Sequence, residues 1–146
     1  MKKPFSKTAY LKQISLEDLH RESRNWLSTL EFWQQEVAFM LHLVEVHFIS
    51  FVTNDKENTL QPLLVKINRL GQRVLETQSD RIEGHEAELA VIIKSPFVNN
   101  DNAYRQQHEI LAKEMTELEN RHRKLKAELF RIAKEVIPKK RKKNQD

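Results

Sequence analysis

Apolar residues near the start of the chain recur at alternating intervals of three and four, and only Ser23 and His47 break the pattern. The row consists of Leu16, Leu19, Trp26, Leu30, Trp33, Val37, Met40, Val44 and Phe51. This spacing aligns the side chains on one stripe of an α-helix, and a stripe of about five heptads is typical of coiled-coil-like packing. Ser15 and Asp18 precede the row as a capping-box pattern in which Asp18 replaces the usual glutamate. The sequence therefore predicts a first helix over residues 16–52.

Two further long helices are predicted from the rest of the chain. Residues 57–95 carry apolar positions at a spacing near 3.6, and Asn54 with Glu57 predicts where this helix starts. Pro96 ends it, because proline disfavours helical geometry in the residue before it. Residues 101–137 carry two heptad rows that end at Pro138. The rows are Tyr104, Leu111, Leu118, Leu125 and Ile132, and His108, Met115, His122, Leu129 and Val136.

Connections of about five residues require antiparallel neighbours. We therefore predict an all-α fold, an up-down-up antiparallel three-helix bundle with long coiled-coil-like helices. The bundle is expected to occupy residues 15–137, between an N-terminal arm of residues 1–14 and a basic disordered tail of residues 138–146. Gly71 lies on the apolar stripe of the second helix, which predicts a close approach between helices there.

The composition excludes several classes of protein. The 146 residues include no cysteine, which rules out disulfides, thiol nucleophiles and cysteine-bound metal. The two glycines, Gly71 and Gly84, stand too far apart for a phosphate-binding or dinucleotide-binding loop. No cofactor or small-molecule substrate is indicated, and no residue is identified as catalytic. We therefore predict a protein that is not an enzyme.

The most apolar stretch, residues 37–52, is too short and too polar to span a bilayer. The first residues include lysines but no apolar core of signal-peptide length. These features predict a cytoplasmic protein without a membrane span. A nuclear location stays open for a eukaryotic source because of the basic tail.

A second apolar stripe runs along the first helix, on the side expected to face water. It comprises Phe32, Phe39, Leu43, Val46 and Ile49, with Glu36 inside it. A second stripe on one helix usually means that another helix packs there. We therefore predict a homodimer whose interface contains these six residues, with Glu36 making a charged contact across a two-fold axis. The alternatives are cover by residues 4–14 of the same chain and a different partner.

Six histidines in a helical chain raise the question of a metal site. The HExxH motif of zinc proteases is absent from the sequence. Folding about turns near residues 54 and 97 brings His20, His85 and His108 toward one layer, with Glu22 and Glu88 nearby. We predict a polar layer that fixes helix register, and keep a metal site on the three histidines as a speculative alternative.

Positive charge is concentrated near the end of the sequence, where residues 120–143 carry a net charge of +9. The candidate nucleic-acid- or anion-binding residues are Arg121, Lys124, Arg131, Lys134, Lys139, Lys140, Arg141, Lys142 and Lys143. Such a run attracts phosphate backbones, anionic surfaces or an acidic partner, and it also keeps a helical bundle soluble. No aromatic residue interleaves the tail, so base stacking is not expected there.

Three functional hypotheses follow from these patterns. The first is a non-enzymatic helical interaction or scaffold protein that homo-oligomerises through the second face of the first helix. The second is a binder of nucleic acid or of an anionic surface through the basic C-terminal segment. The third is a metal-binding helical bundle that uses a layer of histidines and glutamates.

Overall fold

A computed structural model describes residues 14–94 and 101–138 of the chain. These residues form helices and turns with no β-strand, so the prediction of an all-α fold is confirmed. The arm up to residue 13, the connection at 95–100 and the tail from residue 139 lie outside the described residues. The predicted division into arm, bundle and tail therefore stays a prediction.

The first helix, α1, spans Leu16–Val46. Ser15 has extended backbone angles and its hydroxyl accepts a hydrogen bond from the Asp18 amide at 3.1 Å, which satisfies one of the free N–H groups of the first turn. The Asp18 carboxylate accepts from Arg21 at 2.9 Å. The capping pattern thus marks the start of α1, although Asp18 pairs with the following turn.

One turn interrupts the segment that the sequence predicts as a single helix to residue 52. The backbone leaves helical geometry at His47 (φ −107°, ψ 18°), and a short helix, α2, spans Phe48–Thr53. Asn54 does not start the next helix, because its side-chain amide donates to the Ser50 carbonyl at 2.7 Å and closes α2. Asp55 adopts a positive φ of 57°, a conformation that Asp tolerates better than most residues.

The second long segment consists of α3 at Glu57–Arg69, a π-helical turn at Leu70–Val74 and α4 at Leu75–Lys94. Gly71 lies in the π turn, where a Cβ would stand 2.6 Å from Val37 Cγ1. The close helix approach predicted at Gly71 is therefore confirmed. The π turn was not predicted, since a single extra residue per turn leaves no clear mark on a weak 3.6-residue pattern.

The last described helix, α5, spans Asn102–Val136 and ends at Ile137, which is extended. Contacts tie α5 to both preceding segments. Arg105 donates to the Ile14 carbonyl at 2.6 Å, and Lys56 pairs with Glu135 at 3.1 Å.

The apolar core of the described residues forms two clusters. The larger one begins at the level of Leu30, Ile82 and Leu111 and continues to Val136. The smaller one contains Leu19, Leu89, Ile92 and Tyr104. Between them lie three buried polar residues, Ser23, His85 and His108, so the core is divided by a polar layer.

Candidate functional site: an exposed apolar face and a buried histidine layer

Part of the second stripe of α1 is exposed to solvent. Phe32, Phe39, Val46 and Ile49 each expose between 56% and 76% of their surface. Ile49 lies on α2, next to the end of α1, and we call the four residues together the α1 outer face. Neither lysine nor arginine occurs between Asn25 and Asp55, and the exposed polar residues Gln35 and His42 lie between the apolar ones.

The structure gives the other two members of the predicted stripe different surroundings. Leu43 is half-buried and packs against the larger core cluster. The carboxylate of Glu36 lies 3.0 Å from Lys126 Nζ and 3.2 Å from His122 Nε2, both on α5. Because an α-helix turns by 3.6 residues, residues near one edge of a wide stripe face a neighbouring helix instead of solvent. Glu36 is thus a contact to α5, not a member of the outer face.

His85 and His108 meet in the polar layer, as the sequence predicts. His85 Nε2 lies 3.0 Å from His108 Nδ1, and His108 Nε2 lies 2.8 Å from Glu22 Oε1. A carboxylate only accepts hydrogen bonds, so His108 Nε2 donates to Glu22. With neutral imidazoles, His108 Nδ1 then accepts and His85 Nε2 donates. This order leaves His85 Nδ1 as an acceptor, buried without a hydrogen-bond partner in the described residues.

Aromatic rings enclose the two imidazoles. The ring of His85 lies parallel to that of Tyr104 at a centroid distance of 4.0 Å, and Trp26 stacks on His108 at 4.4 Å. Burial, with the charge of His108 as the smaller cause, lowers the pKa of His85 to about 4. Burial also raises the pKa of Tyr104, with the charge of Glu86 adding to the rise. Both side chains are therefore held neutral near pH 7.

Two further buried polar atoms lie at this layer. Neither the Tyr104 hydroxyl nor Ser23 Oγ has a partner of good hydrogen-bond geometry in the described residues. The Ser23 hydroxyl is nevertheless near enough to oppose the rise of the Tyr104 pKa. The layer is thus packed tightly, but some of its polar atoms lack hydrogen bonds. Buried polar groups without hydrogen bonds lower the stability of the fold.

His20 does not join His85 and His108. Its Nδ1 pairs with the Glu86 carboxylate at 2.5 Å, in a shallow groove between the start of α1 and the end of α4. Within residues 14–94 and 101–138, no group of three or more His, Asp or Glu side chains is arranged to hold a metal ion. The speculative site on His20, His85 and His108 is therefore not assembled in this structure.

Two partners in these clusters were missed by the sequence analysis. Glu86, and not Glu88, meets His20, and Lys126 joins Glu36. No local sequence signal distinguishes Glu86 from Glu88, because the choice depends on the level of α4 relative to α1. Tyr104 was identified as a core residue, and only the packing reveals that its ring covers His85.

A second buried histidine lies nearer the middle of the molecule. Trp33 stacks on His122 at a centroid distance of 5.5 Å, and Glu36 lies beside the imidazole. Burial lowers the pKa of His122, while the charge of Glu36 acts in the opposite direction and Lys126 adds to the lowering. This cluster links α1 to α5 and needs no bound group to explain it.

The candidate anion-binding residues fall into two sets. Arg121, Lys124, Arg131 and Lys134 are exposed on α5, and none of them has an ion pair with another described residue. The neighbouring Arg123 and Lys126 pair with Glu119 and Glu36. The remaining candidates, Lys139, Lys140, Arg141, Lys142 and Lys143, lie outside the described residues.

In the part of the chain that the structure describes, no helix is both long and apolar enough to cross a membrane. Comparison of the chain with protein-family models, with curated proteins and with solved structures finds no match. The interpretation of the site therefore depends on its own geometry.

Proposed function

We propose that this chain is a non-enzymatic helical interaction protein that self-associates through the α1 outer face. One observation carries the proposal. Three large apolar side chains, Phe32, Phe39 and Val46, are exposed along one side of α1, and Ile49 is exposed on the adjoining α2. Several large apolar side chains exposed close together on one segment are a common mark of an interaction site.

The spacing within the face favours a second copy of the same chain as the occupant. Phe32, Phe39 and Val46 are each seven residues apart, so the row is symmetric about Phe39. A two-fold axis at Phe39 would place Phe39 of one chain against Phe39 of the other. Each contact between two different residues would then occur twice in the interface. Burial of several such side chains contributes about 1.5–3 kcal/mol each relative to exposure.

The proposal includes an up-down-up three-helix bundle as the scaffold that holds α1. In the contacts between the α3–α4 segment and α5, residue numbers rise along one segment as they fall along the other. Lys56 pairs with Glu135, and His85 pairs with His108. Contacts between α1 and α5 pair residues in the same order, as in Glu22 with His108. A chain that reverses its direction twice, once at each connection, gives this order of contacts. A cytoplasmic location, or a nuclear one directed by residues 138–143, belongs to the same proposal.

Size-exclusion chromatography with light scattering tests the self-association. We expect the unmodified chain to elute with twice the chain mass of 17.4 kDa. Phe39→Glu should elute as a monomer, because a carboxylate would be buried against its own copy. Val65→Glu is the matched control, since Val65 is 58% exposed on α3, away from the outer face, and should leave the dimer intact. A monomeric unmodified chain would contradict the proposal.

A second candidate function is binding of nucleic acid through the basic end of α5. It is favoured by the exposed cations Arg121, Lys124, Arg131 and Lys134, which have no ion pairs with described residues. A fluorescently labelled single-stranded DNA is the probe, and its affinity should fall steeply as salt rises. Arg131→Glu should weaken binding, while Lys113→Glu on the same helix should not. An affinity for DNA that does not change with salt, or that is equal in the two variants, would contradict this function. Binding to anionic vesicles without binding to DNA would show instead that the cations contact a lipid surface.

A further inference from the structure

The buried histidine layer divides the core of the described residues unequally. The apolar cluster on one side contains four buried residues, namely Leu19, Leu89, Ile92 and Tyr104. The cluster on the other side contains twenty. We call the side with four the small end, and it comprises residues 14–23, 85–94 and 101–108. Because apolar burial is the main favourable contribution to folding, the small end is the less stable of the two sides.

Two polar contacts add to the apolar packing of the small end. His20 on α1 pairs with Glu86 on α4, but the His20 side chain is 44% exposed, and exposed ion pairs contribute little to stability. Arg105 donates to the carbonyl of Ile14, which precedes the cap of α1. Closure of the small end therefore depends mainly on its packing against the histidine layer.

The hydrogen bonds of the layer suit a His85 ring that carries one proton. Its Nε2 donates to His108 Nδ1, and its Nδ1 is buried with no hydrogen-bond partner among the described residues. A second proton would put an N–H group and a positive charge at this buried atom. Both are unfavourable away from water, and both costs disappear when the ring becomes exposed.

The titratable and charged groups around His85 come from all three long segments. They are His20 and Glu22 on α1, Glu86 and Glu88 on α4, and Tyr104, Arg105 and His108 on α5. Glu22 accepts from His108, and Glu86 pairs with His20, so both carboxylates are already engaged. The charge of His108 disfavours a second positive charge beside it. These surroundings therefore oppose the doubly protonated form of His85.

The other buried histidine on the apolar rows of α5 has different surroundings. His122 stacks on Trp33 of the larger cluster, and the carboxylate of Glu36 lies 3.2 Å from its Nε2. A protonated His122 would thus have a negative charge beside it, which favours the charged ring. His85 has no such neighbour at its buried Nδ1, so a second proton is less favourable on His85 than on His122.

We propose that a second proton on His85 opens the small end while the larger cluster stays folded, so that the histidine layer is a pH-sensitive switch between a closed and an open form. The small end is the part that opens, because it has less apolar burial and its separation is enough to bring the ring into water. Leu19, Leu89 and Tyr104 become exposed in the open form. This inference does not depend on the proposed self-association, since the α1 outer face lies outside the small end.

Hydrogen–deuterium exchange of the unmodified chain, followed by mass spectrometry of its peptides, measures where the molecule opens. Labelling times at pH 7 and pH 5 are scaled for the chemical exchange rate at each pH. Burial lowers the pKa of His85 from 6.5 to about 4, so the open form should become about 20-fold more populated over this interval. We expect the small end to exchange correspondingly faster at pH 5, and faster than residues 30–44 and 111–136 at both pH values. Equal rates in all these peptides would mean that the chain opens only as a whole, and would overturn the local opening.

Two variants identify the histidine that is responsible. His85→Gln keeps an N–H donor toward His108 but does not titrate, so its small end should lose the acceleration at pH 5. His122→Gln is the matched control, because it removes the other buried histidine and should leave the acceleration in place. Acceleration that persists in His85→Gln, or that is absent from the unmodified chain, would overturn the proposal. Circular dichroism checks that each variant is folded, and His85→Phe replaces His85→Gln if the latter is unfolded.

Discussion

His85 Nε2 donates to His108 Nδ1 across 3.0 Å, deep between α4 and α5. The pair is continued by Glu22, which accepts from the opposite nitrogen of His108. A second proton on His85 would sit at Nδ1, which is buried and has no hydrogen-bond partner among the described residues. The histidine layer is thus built for the neutral form of His85.

Stability should therefore fall in mild acid. Burial lowers the pKa of His85 from 6.5 to about 4, so the unfolded chain binds this proton more readily than the folded one. The stabilisation is fully present above pH 6.5 and is lost as the pH falls toward 4, by about 3 kcal/mol in total. The lowered pKa of His122 acts in the same direction. Urea unfolding at a series of pH values measures this change.

The control for the pH prediction is His85→Phe, which keeps an aromatic ring beside Tyr104 and removes the titrating group. Its overall stability is expected to be lower, because His108 Nδ1 loses its donor. The informative quantity is the slope of the unfolding free energy between pH 4 and 6.5, which should be shallower than in the unmodified chain. An unchanged slope would show that His85 does not carry the pH dependence.

The two glycines should respond to alanine in opposite ways. Gly84 has open space around its missing Cβ, so Gly84→Ala should stabilise the protein by about 1 kcal/mol through helix propensity. At Gly71 the same change places a methyl group 2.6 Å from Val37 Cγ1, so the helices must separate and stability should fall. Denaturant midpoints compare the two variants directly. Stabilisation at both positions would mean that α1 and the π turn are not in close contact.

A substitution at Glu36 should change the stability of the fold, whereas a substitution at Phe39 should change the oligomeric state. Glu36→Gln weakens the contacts to Lys126 and His122, and should lower the unfolding free energy by about 1–2 kcal/mol without changing the oligomeric state. Phe39→Glu should change the oligomeric state, because its side chain is exposed in the single chain. Light scattering and urea unfolding on both variants test this. Loss of the dimer in Glu36→Gln would return Glu36 to the interface.

The cap of α1 offers a local test of the helix start. Ser15→Ala removes the acceptor for the Asp18 amide and should cost about 1 kcal/mol. Ser28→Ala, in the exposed middle of α1, is the matched control and should be neutral or slightly stabilising, because alanine is the better helix former. Equal effects at the two serines would mean that Ser15 is not the cap.

Helix content and the core rows were available from the sequence because they depend on local spacing. The polar layer was available in part, since His85 and His108 occupy apolar rows and the connections bring those rows together. The π turn, the break at His47 and the pairing of His20 with Glu86 were not predicted. Each of them depends on small offsets between helices, which accumulate over many residues and leave no local pattern.

Spacing and composition alone were enough to predict that this chain is helical, that Ser15 marks the start of α1, and that the chain lacks the residues for thiol or phosphate-loop chemistry. Periodicity and composition are properties of the amino-acid sequence, so they do not depend on how the helices pack. The packed fold was needed to see that Glu36 faces α5 while Phe39 faces outward. The exposure of a side chain depends on how neighbouring helices are rotated and how far they are shifted along one another, and both are set by packing.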